Sequence, residues 1–132
     1  MKIKLVMDEK TASILSRACE MIARCGMGQF RDLFEMLSPG MHWDDLVVLE
    51  NRLKEKLIPN LSPFSYNSIS SSKVSVESKI AWSAYQHLRR ELAYMRLGKD
   101  WRVDKREFTM MMTVDYDDPF DAPEFTTEIT PD

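Results

Sequence analysis

The sequence predicts an α+β fold that is mainly helical, with about four helices and a small two-stranded antiparallel sheet formed by an N-terminal and a C-terminal strand. Three observations lead there. Apolar residues recur at intervals of three and four over four separate stretches, period-two alternation opens the chain, and the β-favouring run Glu107-Phe108-Thr109-Met110-Met111-Met112-Thr113-Val114 stands near its end. At 132 residues, 44% apolar and 30% charged, the composition is that of one globular domain. Residues 1–114 are read as that compact domain and 115–132 as an acidic, proline-containing tail, irregular and partly disordered.

The alternation Lys2-Ile3-Lys4-Leu5-Val6-Met7 suits a half-buried strand. Asp8 offers an N-cap to a first helix over 9–25, whose buried face is expected to carry Ile14, Leu15, Ala18, Met21, Ile22 and Cys25 before Gly26 stops it. A short second helix over 28–37 places Phe30, Leu33, Phe34 and Leu37 on one stripe, and Ser38-Pro39-Gly40 breaks it. Asp44 caps a third helix to Leu57, with Leu46, Leu49, Leu53 and Leu57 in phase, and Pro59 closes it. Residues 58–75, with two prolines and seven serines, read as a long loop of the kind that is often functional. The fourth helix, 76–97, repeats Ala81, Tyr85, Leu88, Leu92 and Met95 as a buried seam. Its polar, basic and aromatic flanks are Trp82, Gln86, Arg89, Ala93 and Arg96 on one side and Ser83, His87, Arg90 and Tyr94 on the other.

Charge is divided along the chain. Residues 107–132 hold eight acids and no base, whereas residues 1–106 hold 18 bases against 13 acids. The basic excess is concentrated over 79–106, an anion-binding candidate or a solvated face over which the acidic tail folds back. Duplex DNA is disfavoured as a partner, because the tail would repel phosphate. The longest apolar run is Leu46-Val47-Val48-Leu49, far short of the ~20 residues that a membrane span needs, so no membrane segment is expected. Asp8, Glu9 and Lys10 interrupt the N-terminus before a secretion signal could form. Two cysteines, Cys19 and Cys25, about 9 Å apart along one helix, make no disulfide framework, and a reducing cytoplasmic compartment is the default.

Two constellations could carry chemistry. In Arg24-Cys25-Gly26-Met27-Gly28-Gln29-Phe30 two glycines free a helix-to-helix corner for left-handed backbone or close approach, with Arg24 and Arg31 flanking a site for phosphate or carboxylate. The plain alternative is a glycine C-cap and a tight turn. In Trp82 to Arg90, Tyr85, Gln86, Arg89 and Arg90 set rings, a carboxamide and guanidinium groups within three turns, which suits a nucleotide-like ligand; the alternative is core aromatics beside solvated arginines. His42, His87, Cys19 and Cys25 lack metal-ligand spacing, and no nucleophile–base pair or carboxylate pair can be located. No metal, no cofactor and no enzymatic activity are expected.

The Arg24-x-Gly26-Met27-Gly28-Gln29-Phe30 element, followed by Asn60, Ser65, Val74-Ser75, Ala81, Tyr85-Gln86 and Arg89-Arg90, resembles a group of small bacteriophage- and prophage-encoded proteins over about residues 1–95. Ser68-Ile69 departs from the Gly-Ile pair associated with that group. The resemblance implies a phage protein in the cytoplasm of an infected bacterial host that acts without catalysis. The leading expectation is a trap for a small phosphate-bearing host defence signal: Arg24, Arg89 and Arg90 neutralise phosphate, Gly26 and Gly28 let backbone approach, Gln29 and Gln86 read polar edges, and Tyr66 or Tyr85 stacks on a base. The alternative is an inhibitor of a host protein that engages it through the acidic tail, with Tyr116, Phe120 and Phe125 as anchors. A homodimer or higher oligomer is expected, burying methionine-rich and fourth-helix surface.

Overall fold

The computed structural model describes residues 1–97 and 114–130. Four helices follow in order: α1 (Glu9–Gly26), α2 (Arg31–Leu37), α3 (Trp43–Leu57) and α4 (Val76–Leu97). Among the described residues there is no strand and no sheet, which corrects the expected α+β class to a helical one. Ile3, Leu5 and Val6 are exposed at the N-terminus, and among the described residues no backbone pairing holds 2–7. A lone strand leaves its N–H and C=O groups to water and buries no face, so alternation without a neighbouring strand has nothing to stabilise it. The C-terminal strand expected over 107–114 lies outside the described residues except for Val114, which packs against the core.

The organising contact is an antiparallel pairing of α1 with α4. Gly26 at the end of α1 meets Ser78 in the first turn of α4, and Arg96 at the far end of α4 bonds Glu9 (2.7 Å) and Ser13 (2.7 Å) at the start of α1. Asp8 caps α1 by accepting from the Thr11 N–H at 2.7 Å, and the Thr11 hydroxyl together with this N–H holds its carboxyl below the usual range. The buried core joins Ala23 of α1 and its cap residue Met27, Ala81 of α4, and Ile69 and Val74 of the loop before α4, with Cys19 and Trp82 packed against it. The inward face of α1 therefore runs through Ser16, Cys19 and Ala23 to the cap Met27, and half of the expected stripe turns outward, with Ile14 62% and Ile22 54% exposed and Ala18 exposed as well, while Leu15, Met21 and Cys25 are half-buried. Small residues win the inner face because they let two helix axes approach closely.

The other helices begin and end for local reasons. α2 starts at Arg31 rather than Gly28, because Gly28 adopts a left-handed φ of 89° and Phe30 becomes the cap. α3 starts one residue earlier than expected: His42 caps it, leaving Asp44 and Asp45 in the first turn at the positive end of the helix dipole. Its buried residues are Leu46, Glu50 and Lys54, so here two of the four stripe leucines, Leu49 and Leu57, face outward.

The tail residues 114–130 carry no helix or strand, and they are docked along α4. The Asp117 N–H donates to the Ser70 carbonyl at 3.0 Å, Lys79 lies over the Tyr116 ring at 5.5 Å, and Tyr116 and Phe120 meet edge to face at 4.7 Å. Further on, Thr127 Oγ1 lies 2.6 Å from His87 Nε2, and Phe125 stacks on the same imidazole at 5.3 Å. Lys79, Ser83 and His87, four residues apart, form the track: burial raises the Tyr116 phenol, and its bond with Ser83 partly offsets that.

Burial lowers the His87 pKa below its usual 6.5; the Glu91 carboxylate opposes this and Arg90 adds to it. As pH falls the unfolded chain takes up this proton first, so the contribution of the neutral ring is complete above about 6.5 and declines on acidification toward the folded-state value. Amide exchange over 116–127 is accordingly expected to quicken between pH 7.5 and 5.5 beyond its intrinsic pH dependence, and His87→Phe, which keeps the stacking without the proton, should remove that excess.

Candidate functional site

The corner after α1 is built by hydrogen bonds that close the helix end. The Gln29 N–H reaches back to the Arg24 carbonyl at 2.8 Å and the Gly28 N–H to the Cys25 carbonyl at 3.0 Å, the paired closure that a left-handed residue at this position produces. A Cβ on Gly28 would stand 2.7 Å from Leu61 Cδ2, so backbone conformation and space both select glycine there. The Asn67 N–H donates to the Met27 carbonyl at 2.9 Å and ties the 58–75 loop to this corner.

A buried charge pair on α3 holds the other two sides. Glu50 is 5% exposed and Lys54 4%; their charged atoms lie 3.4 Å apart, one turn from each other. Glu50 Oε2 accepts from the Phe30 N–H at 3.1 Å, its Oε1 lies 3.4 Å from Arg31 Nε, and Lys54 Nζ donates to the Pro63 carbonyl at 2.9 Å. One carboxylate thus anchors the entry to α2, and the neighbouring ammonium anchors the loop.

Between these parts opens a cleft of about 520 Å³, lined by Arg24, Gly28 and Gln29 from the corner, Arg31 and Asp32 from α2, Glu50 and Lys54 from α3, and Phe64, Ser65 and Tyr66 from the loop. Phe64 and Tyr66 are exposed. Arg24 is gripped from three directions: Nη2 lies 2.8 Å from Glu20, Nε 3.1 Å from Asp32, and Nη1 donates to Gln29 Oε1 at 2.7 Å. Burial alone would lower its pKa, but the bond to Glu20 and the charges of Glu20 and Asp32, with Tyr85 contributing, raise it above the ordinary value.

Of the nine residues singled out from sequence, Arg24, Gly28, Gln29 and Tyr66 line this cleft. The other five lie elsewhere. Gly26 packs against Ser78. Tyr85 lies beside Trp82, with ring centroids 5.4 Å apart, and carries the Arg89 guanidinium 5.3 Å from its centroid. Gln86 is buried and accepts from Arg89 at 2.9 Å. Arg89 lines a second cleft of about 340 Å³ with Glu20, Asp32 and Arg96, and Arg90 places two nitrogens on Glu91 Oε1, at 3.0 and 2.8 Å. Glu50, Lys54 and Phe64 were not anticipated; the available signal was a Glu and a Lys falling in phase with Leu46, at 46, 50 and 54.

Burial raises the Cys19 thiol, and burial together with the Asp32 charge raises Cys25, which moves both away from the reactive thiolate. Among the described residues no cluster of three or more His, Cys, Asp or Glu side chains could hold a metal, and no helix is long and apolar enough to cross a membrane. Comparison with protein-family models, with curated proteins and with solved structures found no match to this chain.

Proposed function

We propose that this chain is a non-enzymatic binding protein whose corner cleft takes a small ligand that joins an anionic group to a planar ring, nucleotides being the class that fits. The observation that carries this is the meeting of Arg24, Arg31 and Lys54 with the exposed rings of Tyr66 and Phe64 in one cleft, from four separate stretches of chain. Its volume of about 520 Å³ falls within the ~300 to 1,000 Å³ typical of ligand pockets. Three cations face the two carboxylates Asp32 and Glu50, so a phosphate would take the place of Asp32 or Gln29 at Arg24 rather than meet a bare charge. Exchanging one charge-assisted bond for another gives modest affinity, and stacking on the two rings supplies the remainder.

The corner motif's resemblance to phage-encoded proteins directs the choice of probes to cyclic and linear nucleotides, as signals of host defence. The tail alternative is less favoured, since Tyr116 and Phe120 pack on each other and Phe125, though 39% exposed, stacks on His87. Calorimetric titration with a nucleotide panel is expected to give at least one ligand in the micromolar range. Tyr66→Ala and Phe64→Ala should each weaken it about 5- to 100-fold, the ~1 to 3 kcal/mol of a lost base–aromatic stack. Absence of binding to every probe at millimolar concentration, by protein with intact helical circular dichroism, overturns the reading.

A further inference from the structure

The outward face of α1 carries an apolar seam that none of the described helices covers at Ile14, Ala18 and Ile22. Thr11, Ile14, Ala18, Met21 and Cys25 follow one another at spacings of three and four, the seam of a helix that packs against another helix. Yet Ile14, Ala18 and Ile22 are exposed, because α4 occupies the adjoining face through Ser16, Cys19 and Ala23. The five charged residues of the helix, Glu9, Lys10, Arg17, Glu20 and Arg24, all fall outside this seam. The outward residues of α2 and α3 are different in kind, since Glu35, Asp45, Arg52 and Glu55 are interspersed among them.

We infer that this face pairs with the α1 of a second copy, antiparallel, about a two-fold axis passing at Ala18. The sequence is self-complementary about that residue. In an antiparallel pair centred on 18, Ile14 meets the partner's Ile22, Leu15 meets the partner's Met21, and the uncharged positions 11 and 25 meet each other. A two-fold interface demands this reciprocity, in which a residue touches its mate and the mate touches it in return. Alanine at the axis permits the close end of the ~8 to 10 Å range of helix separations. With α4 beside α1, the face measures about 27 by 20 Å in plan, on the order of 540 Å² before side-chain relief is counted. That is comparable to the ~800 Å² of accessible surface that each partner of a stable dimer buries. The assembly is a four-helix bundle of two α1–α4 pairs, with α1 at its centre. The seam of α4 expected to meet a partner faces α1 of its own chain instead.

Light scattering after gel filtration at about 50 µM decides this. Wild-type protein is expected at about 31 kDa, twice the chain mass of 15.4 kDa. Ile14→Glu and Ile22→Lys, both on exposed positions that the single chain does not need for packing, should each give a monomer with unchanged helical circular dichroism. Combining them in one chain places the new carboxylate opposite the partner's new ammonium twice over, and the dimer mass should return. The milder Ile22→Ala should weaken self-association about tenfold in dilution series. A wild-type mass near 15 kDa overturns the proposal. A dimer that survives both single changes overturns the α1 interface, and failure of the combined variant to regain dimer mass overturns the antiparallel register.

Discussion

Replacing Glu50 with alanine is expected to destabilise the protein by about 3 to 5 kcal/mol, the range seen when one partner of a buried ion pair is removed. The change strands the Lys54 ammonium at 4% exposure with, among the described residues, only the Pro63 carbonyl, and it leaves the Phe30 N–H without its acceptor. Each is a desolvated polar group with a lost partner, and such groups dominate the severe end of mutational effects. Urea unfolding followed by circular dichroism measures the loss directly. Combining Glu50→Leu with Lys54→Met should recover most of the stability, since removing both charges removes the desolvation penalty along with the attraction. A loss below about 1 kcal/mol for the single alanine change would mean that water replaces the carboxylate in this corner. The same change releases the entry to α2 from α3, so ligand binding at the cleft should fall with it.

Gly26→Val should cost about 3 kcal/mol and Gly26→Ala about 1 to 2, although alanine is the better helix former. A Cβ at this position would lie 2.7 Å from Ser78 Cβ, where no rotamer change can yield. Ser78 is itself buried and shares a 2.9 Å bond with Ser75 Oγ, which also accepts from the Ser78 N–H at 3.2 Å as the α4 cap. Pushing Ser78 aside therefore disturbs the start of α4 as well as its approach to α1. Intrinsic propensity favours alanine by ~0.5 to 1 kcal/mol, so overpacking of ~1 to 3 kcal/mol decides the sign. Ser78→Gly in the Gly26→Ala background should relieve the clash, and the two changes should prove non-additive by more than about 1 kcal/mol. Additive losses would place the cost in the local backbone of α1 instead of its packing.

The two glycines of the corner show how far sequence reasoning reached. Close approach and left-handed backbone were the two uses anticipated, and the structure assigns the first to Gly26 and the second to Gly28. Helix positions were legible because caps and breakers act locally: Asp8, the Ser38-Pro39-Gly40 break and the Ser75 cap all stand at helix ends. Inner faces were not, because hydrophobicity ranks Ile14 and Ile22 above Ser16 and Ala23, whereas close packing selects the smaller pair. The N-terminal strand failed for want of a described neighbour, a fact of topology that alternation within residues 2–7 cannot contain. In the site, Arg24, Gly28 and Gln29 were found through one contiguous motif, while Glu50 and Lys54 enter from a helix 20 or more residues away. Their partners are set by tertiary folding, so neither residue advertises its role alone.

Pairing the first helix with the last sets a timetable for the chain as it is made. α1 ends at Gly26 and its mate begins at Val76. About 50 residues separate them, and at ~5 to 20 residues per second of synthesis α1 waits some 2 to 10 seconds before α4 begins to emerge. During that interval both sides of α1 lack their partners, and a helix of 18 residues is marginal alone in water. Early order must come from short-range contacts, and α2 with α3 is the pair that sequence distance favours. Closure of α1 on α4 then falls late and brings the largest loop-entropy loss, which predicts that destabilising changes at Ala23 or Ala81 slow folding only if this late closure is the rate-limiting step.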